Sequence, residues 1–196
     1  MKVGVSLIGM NRTYKDCFDN FTKMVIEPLK NMGHEVYVYL TTYLDESNEN
    51  LINLYKPKKT NFLEFYGSHQ RNTYLKGLDI LDGEDLDLIL CTRFDIRFKK
   101  KIFNDNFDSK KFNFCFREQN MWESHNFVTD NLFVFDYKFL KDFKDSLIFI
   151  HNTSPQNQFM HHIYLPVLER IGQENIVFLS DEIEFSHDNN FYDLVR

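Results

Sequence analysis

The sequence predicts an α/β fold, a single domain built on a mixed, mainly parallel sheet flanked by helices. The apolar run Leu86 to Thr92 is continuous rather than alternating, as strands covered on both faces are. Strand-like runs alternate with amphipathic helical stretches through the first half, the pattern of parallel strands joined by right-handed crossovers. The 196 residues, 43% hydrophobic and including 21 Phe, are enough for one continuous core and argue against disorder. No internal repeat, low-complexity linker or break in composition divides residues 1–196.

The elements follow in order. Lys2 to Ile8 is a first strand, and Gly9-Met-Asn-Arg12 the turn after it. Tyr14, Cys17, Phe18, Phe21, Met24, Val25, Leu29 and Met32 recur at helical spacing, with Pro28 expected to kink the last turn and Gly33 to stop the helix. Glu35 to Leu40 is a second strand, ending in Thr41-Thr-Tyr-Leu-Asp45. A short helix is expected around Leu51 to Tyr55, a third strand over Thr60 to Tyr66, and a second amphipathic helix over Ser68 to Leu81, turning at Asp82-Gly83. The strand from Leu86 to Thr92 completes a β-α-β-β-α-β half. Beyond it, Lys111 to Phe116 and Asn131 to Asp136 predict strands, Tyr137 to Ile148 and Pro155 to Ile171 helices, and Asn175 to Leu179 a last short strand. The tail from Ser186 to Arg196 has no clear period.

Composition excludes several functions. A net charge of −6 is unsuited to general nucleic-acid binding, and the basic runs at Lys56 to Lys59 and Lys99 to Lys101 read as solvated loops. Cys17, Cys91 and Cys115 lie far apart in apolar contexts, without metal-site or disulfide spacing, which suits buried thiols in a reducing compartment. No apolar run is long enough for a signal peptide or a membrane span. The expectation is a soluble, cytoplasmic protein.

In open α/β sheets, ligands sit beyond the carboxyl ends of the strands. The polar residues expected there are Asn11, Arg12 and Thr13; Thr41, Thr42, Tyr43 and Asp45; Gly67 to Asn72, with Arg71; and Arg93 and Asp95. The guanidinium forks of Arg12 and Arg71 suit a diphosphate. Thr41 and Tyr43 suit a ribose and a base, and Asp95 between Arg93 and Arg97 suits anionic groups and a metal. No GxGxxG or GxxxxGK[ST] loop is present. A diphosphate held without a glycine cradle needs cations, which directs attention to Asp95.

The Arg-containing first turn, the strand ending in Thr-Thr-Tyr and the apolar strand ending in Thr92-Arg-Phe-Asp-Ile96 together resemble the GT-A nucleotide-sugar glycosyltransferases, in particular the small domains encoded by large DNA viruses. The resemblance implies a GT-A-like, Rossmann-like sheet. Residues 1–98 would form the nucleotide-binding half and residues 99–196 the acceptor side. It also implies transfer of a sugar from a nucleoside diphosphate, a UDP-sugar foremost, to a hydroxyl of a glycan or glycoprotein. Arg12, Thr41, Tyr43, Arg71 and Arg93 would hold the donor. In that family an Asp-x-Asp at the end of this strand binds Mn²⁺ or Mg²⁺. Asp95-Ile-Arg97 supplies only one carboxylate, and the literal match, Asp85-Leu-Asp87, lies at the strand's amino end. Topology selects Asp95, with His187 as the expected second ligand. The family's general base maps to Trp122 to Asn131, where Asp130 is the first choice and Glu123 and Glu118 are substitutes. Inversion and retention both stay open. Two alternatives remain, a nucleotidyltransferase and a non-catalytic nucleotide-sugar-binding module. His161 and His162 lack the spacing of a helical zinc pair, so one packed and one exposed histidine is expected.

Overall fold

The computed structural model describes residues 1–64, 70–119, 121–153 and 160–195. Its centre is a sheet of β1 (Lys2–Ile8), β2 (Glu35–Tyr43), β3 (Lys59–Leu63), β4 (Leu88–Thr92), β6 (Phe112–Phe114), β8 (Leu132–Asp136) and β9 (Ile176–Phe178), in the order β3-β2-β1-β4-β8-β6-β9. Strands β1 to β4 are mutually parallel, and β8 runs antiparallel between β4 and β6. Two short ladders lie outside this sheet. β5 (Ile96–Phe98) pairs antiparallel with β11 (Tyr192–Leu194), and β7 (Arg117–Glu118) pairs parallel with β10 (Ile183–Glu184).

The continuous apolar runs have a direct cause. Along β4, Leu88 and Leu90 point into one core while Ile89 and Cys91 point into the other. β8 repeats this, with Leu132 and Val134 on the first face and Phe133 and Phe135 on the second. Helices α1 (Tyr14–Phe21), α2 (Glu27–Asn31) and α3 (Asn48–Tyr55) supply the first core. Helices α4 (Gln70–Asp79), α6 (Leu140–Thr153) and α7 (Tyr164–Ile171) supply the second. The second core is rich in aromatics, and the Phe112 ring stacks on Phe135 at 4.9 Å.

Several elements differ from expectation. Upstream of Pro28 the helix departs from regular α geometry. The Pro28 ring would collide with the carbonyl of Met24, and the helix widens into a π-turn at Thr22–Ile26 before continuing as α2. Gly33 stops it as expected, at φ 78°. β2 runs on to Tyr43, because Thr41, Thr42 and Tyr43 pair with Asn61, Phe62 and Leu63. The aperiodic tail forms β11, which lies along β5, itself too short to show a period. Residues 65–69 and 154–159, which include the end of the predicted third strand and the starts of two predicted helices, lie outside the described residues.

Candidate functional site

The parallel strands carry their following loops to one edge, where a cleft encloses about 200 Å³. Ile8, Gly9, Met10 and Arg12 reach it from the end of β1, Tyr43 from β2, Gln70, Thr73 and Tyr74 from α4, and Arg93 and Asp95 from the end of β4. Arg12, Tyr43, Arg93 and Asp95 therefore converge although scattered over more than eighty residues of sequence.

Arg93 and Asp95 are locked together. Arg93 Nε donates to Asp95 Oδ1 at 2.9 Å and Nη2 to Oδ2 at 2.6 Å. Nη1 donates to Asn131 Oδ1 at 3.1 Å. Burial opposes the guanidinium's charge, but the hydrogen bond and charge of Asp95, with Asp130 adding to them, raise its pKa above the ordinary value. Asn131 is itself held, donating to the Tyr192 hydroxyl at 2.6 Å. The tail strand β11 thus reaches the site through Tyr192, whose hydroxyl also meets Thr129 Oγ1 at 2.6 Å.

Asp130 follows from the antiparallel pairing. Thr92 at the end of β4 pairs with Leu132 at the start of β8, so Asp130 and Asn131 fall beside Arg93. Asp130 is 6% exposed. Its backbone carbonyl accepts from Tyr74 at 3.0 Å, and its carboxylate lies 3.8 Å from His161 Nε2. Burial pushes the Tyr74 phenol well above its usual value, so Tyr74 is a neutral donor here. Tyr43 meets Thr73 Oγ1 through its hydroxyl at 2.9 Å.

Other expected residues lie elsewhere. Thr41 is fully buried in β2 opposite Ile8 and does not line the cleft. Arg71, 1% exposed on α4, does not line it either, and donates to Asn72 at 3.4 Å. Glu123 is exposed on α5 (Trp122–His125), and the Glu118 carboxylate accepts the backbone N–H and hydroxyl of Ser186. Trp122, a candidate sugar platform, packs edge-on against Tyr164 at 5.0 Å, with Arg117 over its ring. Asp85 pairs with Lys2 Nζ, and Asp87 accepts the Lys2 backbone N–H at 2.7 Å, both at the opposite edge of the sheet from the cleft. Gly67, Ser68 and His69 lie outside the described residues. His161 and His162 are both half-buried, not one packed and one exposed, because Phe127 packs against both rings.

The family resemblance implies a divalent ion at Asp95, and the donor set offers it a poor fit. Both oxygens of Asp95 are already taken by a guanidinium. His187 is exposed in the turn between Phe185 and Asp188 and does not line the cleft. Among the described residues no three His, Cys, Asp or Glu side chains gather into a set that could hold a metal.

Gln70, expected at this edge, does line the cleft; sequence reasoning missed Thr73 and Tyr74, although their i+3 and i+4 spacing from Gln70 marks one helix face. It also missed Asn131, His161 and Tyr192. No local pattern marks these, since long-range pairing alone brings them to the site.

Comparison with solved structures defines the fold. A mutant Drosophila β1,4-galactosyltransferase 7 in complex with manganese, UDP-Gal and xylobiose superposes with a TM-score of 0.54 at 11% identity, over 100% of this chain and 71% of that one. The glycosyltransferase involved in glycosylation of the major capsid of PBCV-1 gives 0.51 at 10% identity, over 96% and 93%. The nucleoside-diphosphate-sugar pyrophosphorylase from Vibrio cholerae RC9 gives 0.54 at 12%, over 90% of each chain. No protein-family model and no curated protein matches the sequence. The chain has the GT-A fold, the fold of nucleotide-sugar glycosyltransferases. Among the described residues no helix is long and apolar enough to cross a membrane.

Proposed function

We propose that the chain transfers a sugar from a nucleoside-diphosphate sugar, a UDP-sugar foremost, to a hydroxyl of a glycan or glycoprotein acceptor. The supporting observation is the convergence of Arg12, Tyr43 and Arg93 on one cleft, with Asp130 close enough to strengthen the Arg93 charge. Arg12 and Arg93 take the diphosphate through charge-assisted hydrogen bonds. Tyr43 presents a ring edge and a hydroxyl to the nucleoside. Arg71 and Thr41, buried and off the cleft lining, are not donor contacts in this reading. Residues 1–98 thus serve the donor and residues 99–196 the acceptor.

Asp130 is the general base in this reading. It takes the proton from the acceptor hydroxyl as that oxygen attacks the anomeric carbon. The bond from the anomeric carbon to the diphosphate oxygen then breaks, and the nucleoside diphosphate leaves with the electron pair. Glu123 and Glu118 are weaker candidates, since one is exposed away from the cleft and the other is held by Ser186.

A second reading has one observation in its favour, the pyrophosphorylase among the structural neighbours. A nucleotidyltransferase would act on the α-phosphate and release or consume pyrophosphate. The experiment supplies UDP- and GDP-sugars with excess manganese and a panel of oligosaccharide acceptors, and measures free nucleoside diphosphate and pyrophosphate. Acceptor-dependent UDP release is expected, falling by about a hundredfold or more in Asp130→Asn with UDP affinity unchanged. Pyrophosphate as the product favours the nucleotidyltransferase. Binding without release by any acceptor favours a non-catalytic module.

A further inference from the structure

The Arg93–Asp95 pair has the two-residue spacing and strand-end position at which two carboxylates would share a metal, with a guanidinium in the first place. The sequence invites the frame Asp95-Ile-Arg97, but the Arg97 side chain turns away to the backbone carbonyl of Asp16. The partner of Asp95 is Arg93.

A guanidinium has five N–H donors in a planar fork. On Arg93 three are committed, two to Asp95 and one to Asn131. Two remain on a group that lines the cleft. Asp95 spends one lone pair of each oxygen on this fork. A dication ligated there would sit against a guanidinium in a sheltered site, where like charges repel strongly, or would have to expel it. Expulsion is opposed at a third point, because Asn131 is anchored by the Tyr192 hydroxyl. Arg12, exposed at the same cleft, brings a second, movable cation.

Resting on the glycosyl-transfer reading above, we propose that Arg93, seated by Asp95, is together with Arg12 the positive charge that receives the donor's diphosphate, so that the donor binds without a divalent ion. Asp95 is then a positioning residue. It fixes the plane of the fork so that the free N–H groups of Arg93 meet diphosphate oxygens, work that a lysine cannot do as well.

The test is calorimetric titration of UDP, with GDP in parallel, into the full chain, in buffer with EDTA and in buffer with excess manganese. The expected result is the same affinity in both, within about threefold. Arg93→Ala weakens binding by about tenfold or more, the scale of a hydrogen bond to a charged group. Arg93→Lys, keeping the charge without the fork, recovers only part of that loss. Asp95→Asn, which keeps an acceptor but frees the fork, weakens UDP binding in EDTA and in manganese alike. Thermal melts of each variant separate lost binding from lost folding. UDP binding that EDTA abolishes and manganese restores overturns this inference and leaves the glycosyl-transfer reading standing. Absence of UDP and GDP binding in both buffers overturns both.

Discussion

His161 turns its two ring nitrogens to different partners, Nδ1 at 3.0 Å from the carbonyl oxygen of Val128 and Nε2 at 3.8 Å from Asp130 Oδ2. A carbonyl only accepts, so Nδ1 carries the hydrogen. Nε2 is therefore the nitrogen free to take up or release a proton, and it faces the carboxylate assigned as base. His161→Gln keeps a polar side chain but removes this proton acceptor. It should slow transfer by about tenfold, a fraction of what the base itself contributes, with UDP affinity unchanged. Steady-state rates at saturating donor check this, and wild-type turnover in the variant excludes His161 from the proton transfer.

The literal Asp-x-Asp of the sequence should be dispensable for donor binding. Asp85 is 87% exposed in its pair with Lys2, and Asp85→Ala should cost under about 0.5 kcal/mol. Asp87→Ala removes the acceptor of the Lys2 N–H and should cost about 1.5 kcal/mol. Neither should change UDP affinity by calorimetry. A loss of binding in either variant would return the donor site to that edge of the sheet.

Gly77 lets α4 lie close on β1. A Cβ there would stand 2.6 Å from Ile8 Cδ1 and 2.7 Å from Cγ1. Gly77→Ala gains about 1 kcal/mol in helix propensity but loses about 1–3 kcal/mol to overpacking. Urea denaturation should show a net loss of about 1 kcal/mol. Because Ile8 lines the cleft, UDP affinity should fall as well, and a more stable variant would mean that Ile8 moves aside freely.

Glu84 makes the fold acid-sensitive. Hydrogen bonds from Lys58, Lys59 and Tyr39 hold its carboxyl down at about 2. The folded value lies below the unfolded one, so its contribution is complete above the ordinary carboxylate range. It is lost as pH falls from about 4.5 towards 2. Both lysines are more than 40% exposed, so solvent limits the effect to about 1 kcal/mol. Urea midpoints from pH 6 to pH 2.5 should converge for wild type and Glu84→Gln, and parallel curves would remove Glu84 as a cause.

Burial pushes the thiols of Cys91 and Cys115 upward, and Cys17 is 1% exposed. All three should resist a thiol reagent in the native protein and react together on unfolding. Rapid labelling of any one in the native state would place that thiol outside the core.

The first strand and most of the other sheet elements were legible because burial on both faces leaves a local mark. Val3, Val5 and Leu7 face one core and Ile8 the other, so within the strand only Lys2 and Ser6 carry polar side chains. The site was legible in part. That Asp95 lies at the cleft, and Asp85 and Asp87 at the opposite edge, follows from strand direction alone, and the Lys2 contacts agree. Arg71 and Thr41 misled because position after a strand does not say which way a side chain turns.

The sequence by itself determined which segments become the strands and helices of the central layers, and which strand ends carry charge, since periodicity and burial are properties of short stretches. Only the tertiary structure decided the partners. The antiparallel insertion of β8 beside β4 set Asp130 and Asn131 against Arg93, and the return of β11 set Tyr192 on Asn131. These contacts join residues up to 61 positions apart. Backbone hydrogen bonding across the sheet fixes their register, and no local pattern encodes it.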